Sequence, residues 1–137
     1  MLKKSERPVA LLLPYKRDEG KILVYLQRRD KDAKRSPDWF GFFGGGIEEG
    51  ESPEQALLRE AKEELDYLPV NTKFLGEYEN RWVYVLDTPA NFESEIVILE
   101  GQYGKWFCKE EALNEPLLTE SDKEILRDFF KSSRLAG

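Results

Sequence analysis

The stretch from Gly41 to Pro69, GFFGGGIEEGESPEQALLREAKEELDYLP, combines closely spaced glycines with a concentration of carboxylates. Within it, Glu63 and Glu64 follow Glu60 by three and four residues. Residues at these spacings are neighbours on one face of a helix. Oxygen ligands clustered on a rigid element suit Mg²⁺ or Mn²⁺, and a bound cation would remove the repulsion between the acids. The pattern therefore indicates a divalent-cation site.

A solvated acidic face is the alternative interpretation of the same three glutamates. Against it, like charges at these spacings weaken a helix by a few tenths of a kcal/mol per pair, and acids are disfavoured near a helix C-terminus. The glycines before the helix also favour the cation site, because they let the backbone approach a ligand and offer a carbonyl oxygen. Arg59 can fix the orientation of Glu51, although an exposed pair of this kind would contribute little.

The complete spacing resembles the Nudix box, GX5EX7REUXEEXGU, where U is a bulky aliphatic residue. The positions that match in register are Gly45, Glu51, Arg59, Glu60, Glu63 and Glu64. The departures are Ala61 at the first aliphatic position, Asp66 at the late glycine, Tyr67 after it, and Phe43 in place of a proline. The changes at Asp66 and Tyr67 concern the end of the helix rather than the acids. Less specifically, YLQRR before the box and LEGQYGKWFCKEEA at 99–112 are similar to segments of MutT-type members.

The length predicts a single domain over residues 1–137, and the resemblance places the box at 45–67. The resemblance implies an α/β (α+β) fold, an α/β/α sandwich with a central mixed β-sheet. The implied activity is hydrolysis of a nucleoside diphosphate linked to another moiety X, with Mg²⁺ or Mn²⁺ as cofactor. The ligands that the resemblance assigns are the carboxylates of Glu60 and Glu64, the carbonyl of Gly44, and Glu63 directly or through one water.

Other residues receive supporting or catalytic roles from the same resemblance. Glu51 and Arg59 would orient the metal ligands. Glu100, the acid of Glu-Gly-Gln, is the first choice for the base that deprotonates the attacking water, and Glu63 or Glu64 is the second. A strand-end acid in a polar loop is the alternative interpretation of Glu100.

Basic and aromatic residues near the box are candidates for binding the substrate. Arg28 and Arg29 end a strand near the place where the family binds phosphates or a base, and an ordinary solvated loop is the alternative for the basic residues that follow them, Lys31, Lys34 and Arg35. Aromatic rings can stack on a base, although rings in strands more often belong to the core. The candidates for stacking are Trp39, Phe43, Tyr78 and Trp82.

The substrate class stays open at this point. Glu-Gly-Gln favours a normal or modified nucleoside triphosphate, and a nucleotide sugar or ADP-ribose is the alternative. A Nudix module that senses a nucleotide without turnover is a second class, and the retained acids count against it. A calcium-binding structural domain is a third, and the absent EF-hand pattern counts against it.

Simple secondary-structure signals predict the elements that would position these residues. Strands are expected at 7–15 and 22–29 around a turn at 16–21, and a short strand within 41–46. Ser52, Pro53 and Gln55 form a helix start with a capping box, and the helix should run to about Tyr67. Two strands or one bent strand are expected at 72–88, further strands at 93–102 and 104–108, and a last helix beginning at Thr119 or Ser121.

Composition excludes several kinds of chemistry. The chain of 137 residues has no histidine and one cysteine, so Ser-His-Asp and Cys-His catalysis, histidine metal sites and disulfides within the chain are excluded. The formal net charge of −6 argues against nonspecific binding of a nucleic-acid polymer. No apolar run or leader suggests a membrane or secretory segment, so a cytoplasmic enzyme is expected. The expected partner is a small nucleotide, and a homodimer is left open.

Overall fold

A computed structural model describes residues 7–136, and of residues 133–136 the backbone alone. Residues 1–6 and 137 of the expected domain lie outside the described part. A mixed seven-stranded sheet forms the centre of the fold, and in chain order its strands are β1 (Val9–Asp18), β2 (Lys21–Arg28), β3 (Phe40–Gly41), β4 (Phe43–Gly46), β5 (Lys73–Tyr78), β6 (Arg81–Asp87) and β7 (Tyr103–Cys108). Their order in the sheet is β3-β2-β1-β6-β5; β4 also pairs with β1, and β7 with β2. The β1–β6 pair is parallel and the others are antiparallel. This arrangement confirms the predicted mixed sheet with helices.

The first two strands form the hairpin that the sequence predicts. β1 spans Val9–Asp18 and β2 spans Lys21–Arg28. The turn is shorter than the predicted 16–21, because both central residues, Glu19 and Gly20, adopt the positive φ angles of 51° and 80°. Two consecutive left-handed residues give a tight turn whose twist matches that of the strands.

The remaining strands extend this hairpin on both sides. β3 (Phe40–Gly41) and β4 (Phe43–Gly46) come from the glycine-rich stretch. β5 (Lys73–Tyr78) and β6 (Arg81–Asp87) show that 72–88 forms two strands rather than one bent strand. β7 (Tyr103–Cys108) lies close to the predicted 104–108 and pairs with β2.

Helix α1, Pro53–Leu65, begins as predicted and ends slightly early. The Ser52 hydroxyl accepts from the N–H of Gln55, and the Gln55 side chain accepts from the N–H of Ser52, which completes the capping box. The helix stops before Tyr67 because Asp66 adopts left-handed backbone angles, φ 48° and ψ 44°. Asp66 therefore ends the helix in the left-handed conformation that glycine commonly adopts after the last turn of a helix.

The predicted strand at 93–102 is wrong. Phe92–Glu95 forms the short helix α2, and the segment after it is irregular. The N–H groups of Val97 and Leu99 donate to the carbonyls of Leu65 and Glu64 at 2.9 and 2.8 Å. This segment therefore caps the open end of α1 instead of extending the sheet, a long-range pairing that a local pattern of apolar residues does not reveal.

Two further helices complete the fold. α3, Lys109–Leu113, was not predicted, and its five residues are too few to show a helical period. α4, Glu120–Ala136, starts at the predicted place, where the Thr119 hydroxyl accepts from the N–H of Asp122 at 3.1 Å. No helix within residues 7–136 is long and apolar enough to cross a membrane.

The core lies in two layers, one on each face of the sheet. Ala10 and Leu12 of β1 face α1 and α2, whereas Leu13 faces α3 and α4. Alternation along the strand thus buries both faces of the sheet, as expected when helices cover it on both sides. The layer under α1 also contains Phe43, so the glycine-rich stretch is anchored next to the acids of the box.

Candidate active site

Arg59 lies at the centre of the acidic cluster. Its Nε and Nη2 donate to the two carboxylate oxygens of Glu51 at 2.8 and 2.9 Å, and Nη2 also donates to the carbonyl of Gly46 at 2.8 Å. Nη1 donates to Glu60 at 3.0 Å. The hydrogen bonds from Arg59, and that from the Glu48 N–H, lower the pKa of Glu51 to about 2. The Arg59 guanidinium therefore connects the loop before α1 to the helix. It also keeps the Glu51 carboxylate ionised.

Glu64 is a buried carboxylate. Its side chain projects from α1 towards the sheet, and the residue is 3% exposed. Oε2 accepts from the N–H of Gly44 at 2.8 Å, and Oε1 accepts from the amide of Gln27 at 3.3 Å. Burial, together with the charges of Glu60 and Glu100 and against the hydrogen bonds from Gly44 and Gln27, raises the pKa of Glu64 to about 8.

The other two acids of the helix differ from Glu64 in their surroundings. Glu60 is partly buried, and burial raises its pKa in spite of Arg59. Glu63 has a side chain 49% exposed and only a long contact of 3.5 Å with Arg59. A solvated acidic face therefore describes Glu63 and fails for Glu64.

The glycines beside the helix make room for these carboxylates. Gly44 has φ +123°, and a Cβ there would collide with the backbone of Ala10. A Cβ at Gly45 would lie 2.6 Å from a carboxylate oxygen of Glu60. A side chain at either position would therefore displace strand β1 or the Glu60 carboxylate.

Glu100 approaches the same cluster from a distant part of the chain. It follows the segment that caps α1, and its backbone carbonyl accepts from the Gln27 amide at 2.9 Å. Its charge raises the pKa of both Glu60 and Glu64, so the three carboxylates share one region. Its side chain is exposed. A role for Glu100 as base remains a prediction.

Arg28 and Arg29 are engaged within the chain. Arg28 donates from Nε and Nη2 to the Asp38 carboxylate at 3.0 Å, and Arg29 donates to the carbonyl of Arg35 at 2.8 Å. If Arg28 binds a phosphate, the phosphate and the Asp38 carboxylate would share the Arg28 guanidinium. Among the other basic candidates, Lys31, Lys34 and Arg35 lie on the exposed loop.

Phe43 does not have the position expected of a stacking residue. Its ring is 0% exposed and packs against Tyr25 with centroids 5.7 Å apart. This burial does not favour the stacking role, because a strand residue facing α1 is covered by the helix, and the assignment of Phe43 to substrate stays a prediction. Tyr78 is occupied by a hydrogen bond to Asp128 at 2.9 Å. Trp39 and Trp82 are partly exposed and stay candidates.

The set of donors fits a hard divalent cation. Glu60, Glu64 and Glu100 offer only oxygen, which is the donor that Mg²⁺ and Mn²⁺ prefer. In the described part of the chain, however, no three acidic or cysteine side chains already form a coordination shell. Arg59 also occupies one oxygen of Glu60. Water would therefore have to supply much of the coordination, as Mg²⁺ commonly retains.

Gln27 is the residue at this site that the motif did not reveal. It is 4% exposed and contacts both Glu64 and the Glu100 carbonyl. The feature of the sequence that could have identified Gln27 is its position as a single polar residue at the end of the apolar run Ile22–Leu26, on the same face of the strand as Tyr25. An inward-facing polar group in such a strand must find a buried partner.

Comparison with known proteins places this geometry in a family. The model of the NUDIX domain matches residues 6–129. An RNA pyrophosphohydrolase of Sulfurovum sp. (strain NBC37-1) is 36% identical over an alignment of 116 residues that covers 80% of this chain and 68% of that protein. A dihydroneopterin triphosphate diphosphatase of Escherichia coli (strain K12) is 40% identical over 60 residues, 44% of this chain and only 37% of that protein.

The fold has close structural counterparts as well. The crystal structure of a MutT protein from Methanosarcina mazei Go1 superposes with a TM-score of 0.74 at 19% identity, over 98% of this chain and 99% of that one. At such identity the likeness concerns the fold. The family model, by contrast, covers most of the sequence, including every acid of the site. The chain therefore belongs to the Nudix hydrolase family.

Proposed function

We propose that this chain uses Mg²⁺ or Mn²⁺ to hydrolyse the pyrophosphate bond of a nucleoside diphosphate linked to another moiety, and that its substrate is a normal or modified nucleoside triphosphate. The observation that carries the proposal is the burial of Glu64 beside Glu60 and Glu100. The hydrogen bonds to Glu64 come from a backbone N–H and an amide, which are uncharged. A buried carboxylate without a cation costs several kcal/mol, and a divalent cation would compensate that cost.

Each residue of the cluster then has a chemical task. A divalent cation neutralises the phosphate bridge and lowers the pKa of water next to it. Glu60, Glu64 and the carbonyl of Gly44 would hold it, with Glu63 at the exposed side. Arg59 and Glu51 would keep Glu60 in place through the ion pairs that join them. Glu100, the exposed acid across the cluster, would accept the proton of the attacking water.

The substrate class is proposed from the names of the relatives and from one motif of this chain. The name of one relative specifies a small triphosphate, and Glu100-Gly101-Gln102 resembles MutT-type members. The relative that matches 80% of this chain is named for RNA instead. Removal of pyrophosphate from the 5′ end of RNA is therefore a second candidate function. Nucleotide sugars and ADP-ribose involve the same bond and need to be tested beside them.

A substrate panel tests the proposal. The wild-type protein is incubated with nucleoside triphosphates, modified triphosphates, ADP-ribose, nucleotide sugars and 5′-triphosphorylated RNA, with Mg²⁺ or with EDTA, and the products are separated by chromatography. We expect a nucleoside monophosphate and pyrophosphate from a triphosphate, and no product in EDTA. The preferred compound is the one with the highest kcat/KM.

Two other results would contradict the proposal. Tight binding of a nucleotide without turnover would indicate a sensing module. Equal turnover in EDTA would show that the carboxylates act without a cation. A preference for RNA by at least about tenfold in kcat/KM, or about 1.4 kcal/mol in transition-state free energy, would replace the small triphosphate by the RNA end.

A further inference from the structure

Gln27 and Glu64 are the buried polar side chains of the described part of the chain. They are 4% and 3% exposed, and they contact each other. Gln27 lies near the end of β2, on the face of the sheet that α1 covers. A buried amide is costly unless its donors find partners, so its surroundings indicate what it is there to hold.

The Gln27 amide joins two parts of the site that are far apart in sequence. Its Nε2 donates to the Glu64 carboxylate at 3.3 Å and to the backbone carbonyl of Glu100 at 2.9 Å. An amide nitrogen carries two hydrogens, so both bonds can form at once. The same group therefore fixes an acid of helix α1 and the backbone of the acid across the cluster.

The turn that contains Glu100 packs closely against the Gln27 amide. Gly101 has φ +88°, and a Cβ there would lie 2.8 Å from Gln27 Nε2 and 3.0 Å from the carbonyl of Arg28. The next N–H, that of Gln102, donates to the carbonyl of Arg28 at 2.8 Å. The Glu100 turn thus rests on the end of β2, where the Gln27 side chain contacts it together with Asp30, whose carboxylate accepts from the Gly101 N–H at 3.1 Å.

An uncharged donor suits this position better than a basic residue would. A lysine or arginine would bind Glu64 more strongly, but its positive charge would repel a divalent cation at the same carboxylate. An amide orients the carboxylate and leaves its negative charge available. Partners of this kind commonly change metal affinity by about 10–100-fold when they are removed.

We propose that Gln27 is a positioning residue, which holds Glu64 and the Glu100 turn in one arrangement so that the acids bind a divalent cation together. This inference rests on the proposed function and assigns Gln27 no contact with substrate. It predicts that loss of the amide weakens cation binding even when no nucleotide is present.

The test measures Mn²⁺ binding without substrate. Free Mn²⁺ is followed by electron paramagnetic resonance at fixed pH for the wild type and for Gln27→Met, which keeps the length of the side chain and removes both donors. We expect the dissociation constant to rise at least about tenfold. Gln27→Asn has an amide one carbon too short to reach both partners, so its dissociation constant should rise in the same way. It replaces Gln27→Met in the test if the methionine variant does not fold.

Two reference variants separate this role from a general loss of stability. Ile125→Val shortens a fully buried side chain of α4 on the opposite face of the sheet, and its Mn²⁺ affinity should equal that of the wild type. Glu64→Gln should bind Mn²⁺ at least as poorly as the Gln27 variants. Circular dichroism establishes that each variant is folded.

The outcomes distinguish the positioning role from the proposed function. Wild-type affinity in Gln27→Met, together with weak binding in Glu64→Gln, overturns the positioning role alone. Equal weakening in Ile125→Val also overturns it, as does failure of both Gln27 variants to fold, because the amide would then be needed for folding only. Absence of Mn²⁺ binding by the wild type overturns both proposals.

Discussion

Arg59 and Glu51 form a two-bonded ion pair, with Nε–Oε2 and Nη2–Oε1 distances of 2.8 and 2.9 Å. The same guanidinium donates to Glu60 at 3.0 Å and to the Gly46 carbonyl at 2.8 Å. The pair therefore links the loop before α1, the glycine-rich strand and a candidate metal ligand. This geometry requires the planar fork of arginine, which has several donors in fixed directions.

Arg59→Lys should reduce turnover about 10–100-fold without unfolding the protein. Lysine keeps the charge but cannot make parallel bonds to Glu51 while it holds Glu60. The measurement is kcat at saturating Mg²⁺, with circular dichroism to establish the fold. The matched control is Arg127→Lys, which alters an exposed pair with Glu120 on α4 and should leave kcat unchanged. Equal activity in the two variants would show that Arg59 acts only as a charge.

The stability of the metal-free protein should fall as pH rises from about 4.5 to about 8. Burial raises the pKa of Glu64 to about 8 from 4.5, so the folded protein keeps a proton that the unfolded chain releases. Folding then costs more at higher pH, on the order of a few kcal/mol at completion. In EDTA, the melting temperature of Glu64→Gln relative to wild type should therefore increase between pH 5 and pH 8.

Addition of Mg²⁺ provides the control for this pH effect. At pH 8 the cation should raise the melting temperature of the wild type and leave that of Glu64→Gln nearly unchanged, because binding to the folded state stabilises it. A melting-temperature difference that is independent of pH would show that Glu64 is ionised in the folded protein throughout the range.

Gly45→Ala should lower activity more than stability. The added Cβ would lie 2.6 Å from a carboxylate oxygen of Glu60, and the end of that side chain can move away. We expect at least about a tenfold loss of kcat/KM with a small change in melting temperature. Gly41→Ala is the matched control, because its Cβ would meet its nearest neighbours at an ordinary 3.9 Å. Full activity of Gly45→Ala would mean that the Glu60 position has no influence on catalysis.

Glu100→Gln tests the assignment of the base. Removal of a general base should slow turnover about 10²–10⁴-fold and change the pH–rate profile. Glu110→Gln changes an exposed acid of α3 and should leave both unchanged. If Glu100→Gln keeps the wild-type profile and rate, the base is another group, and Glu63 is then the next candidate to substitute.

The acids of the box were predictable because their spacing is set by one helix. Ser52 and Pro53 define where that helix begins, so the sequence alone predicts that Glu60 and Glu64 lie on the same face of it. The spacing does not show how deeply each side chain is buried. Glu63 and Glu64 are adjacent in sequence, yet one is half exposed and the other is buried against strands from elsewhere in the chain.

The features that were missed depend on contacts between distant segments. The apolar residues after Glu95 resemble a strand, but their N–H groups pair with the end of α1, about 30 residues earlier. Phe43 is a stacking candidate in the sequence because it is an aromatic residue beside the box, whereas the structure buries its side chain under the helix. Gln27 contacts Glu64 and Glu100 across separations of 37 and 73 residues. Such partners become visible only when the sheet is assembled.

Turnover of a nucleoside triphosphate by wild type and Glu64→Gln at saturating Mg²⁺ tests the central assignment most directly. This substitution replaces the carboxylate by an amide of the same size and removes the negative charge that would hold the cation. If Glu64 binds the cation beside the phosphate bridge, kcat/KM should fall at least about 100-fold while the circular dichroism spectrum stays the same. A folded Glu64→Gln protein with nearly wild-type kcat/KM would contradict it.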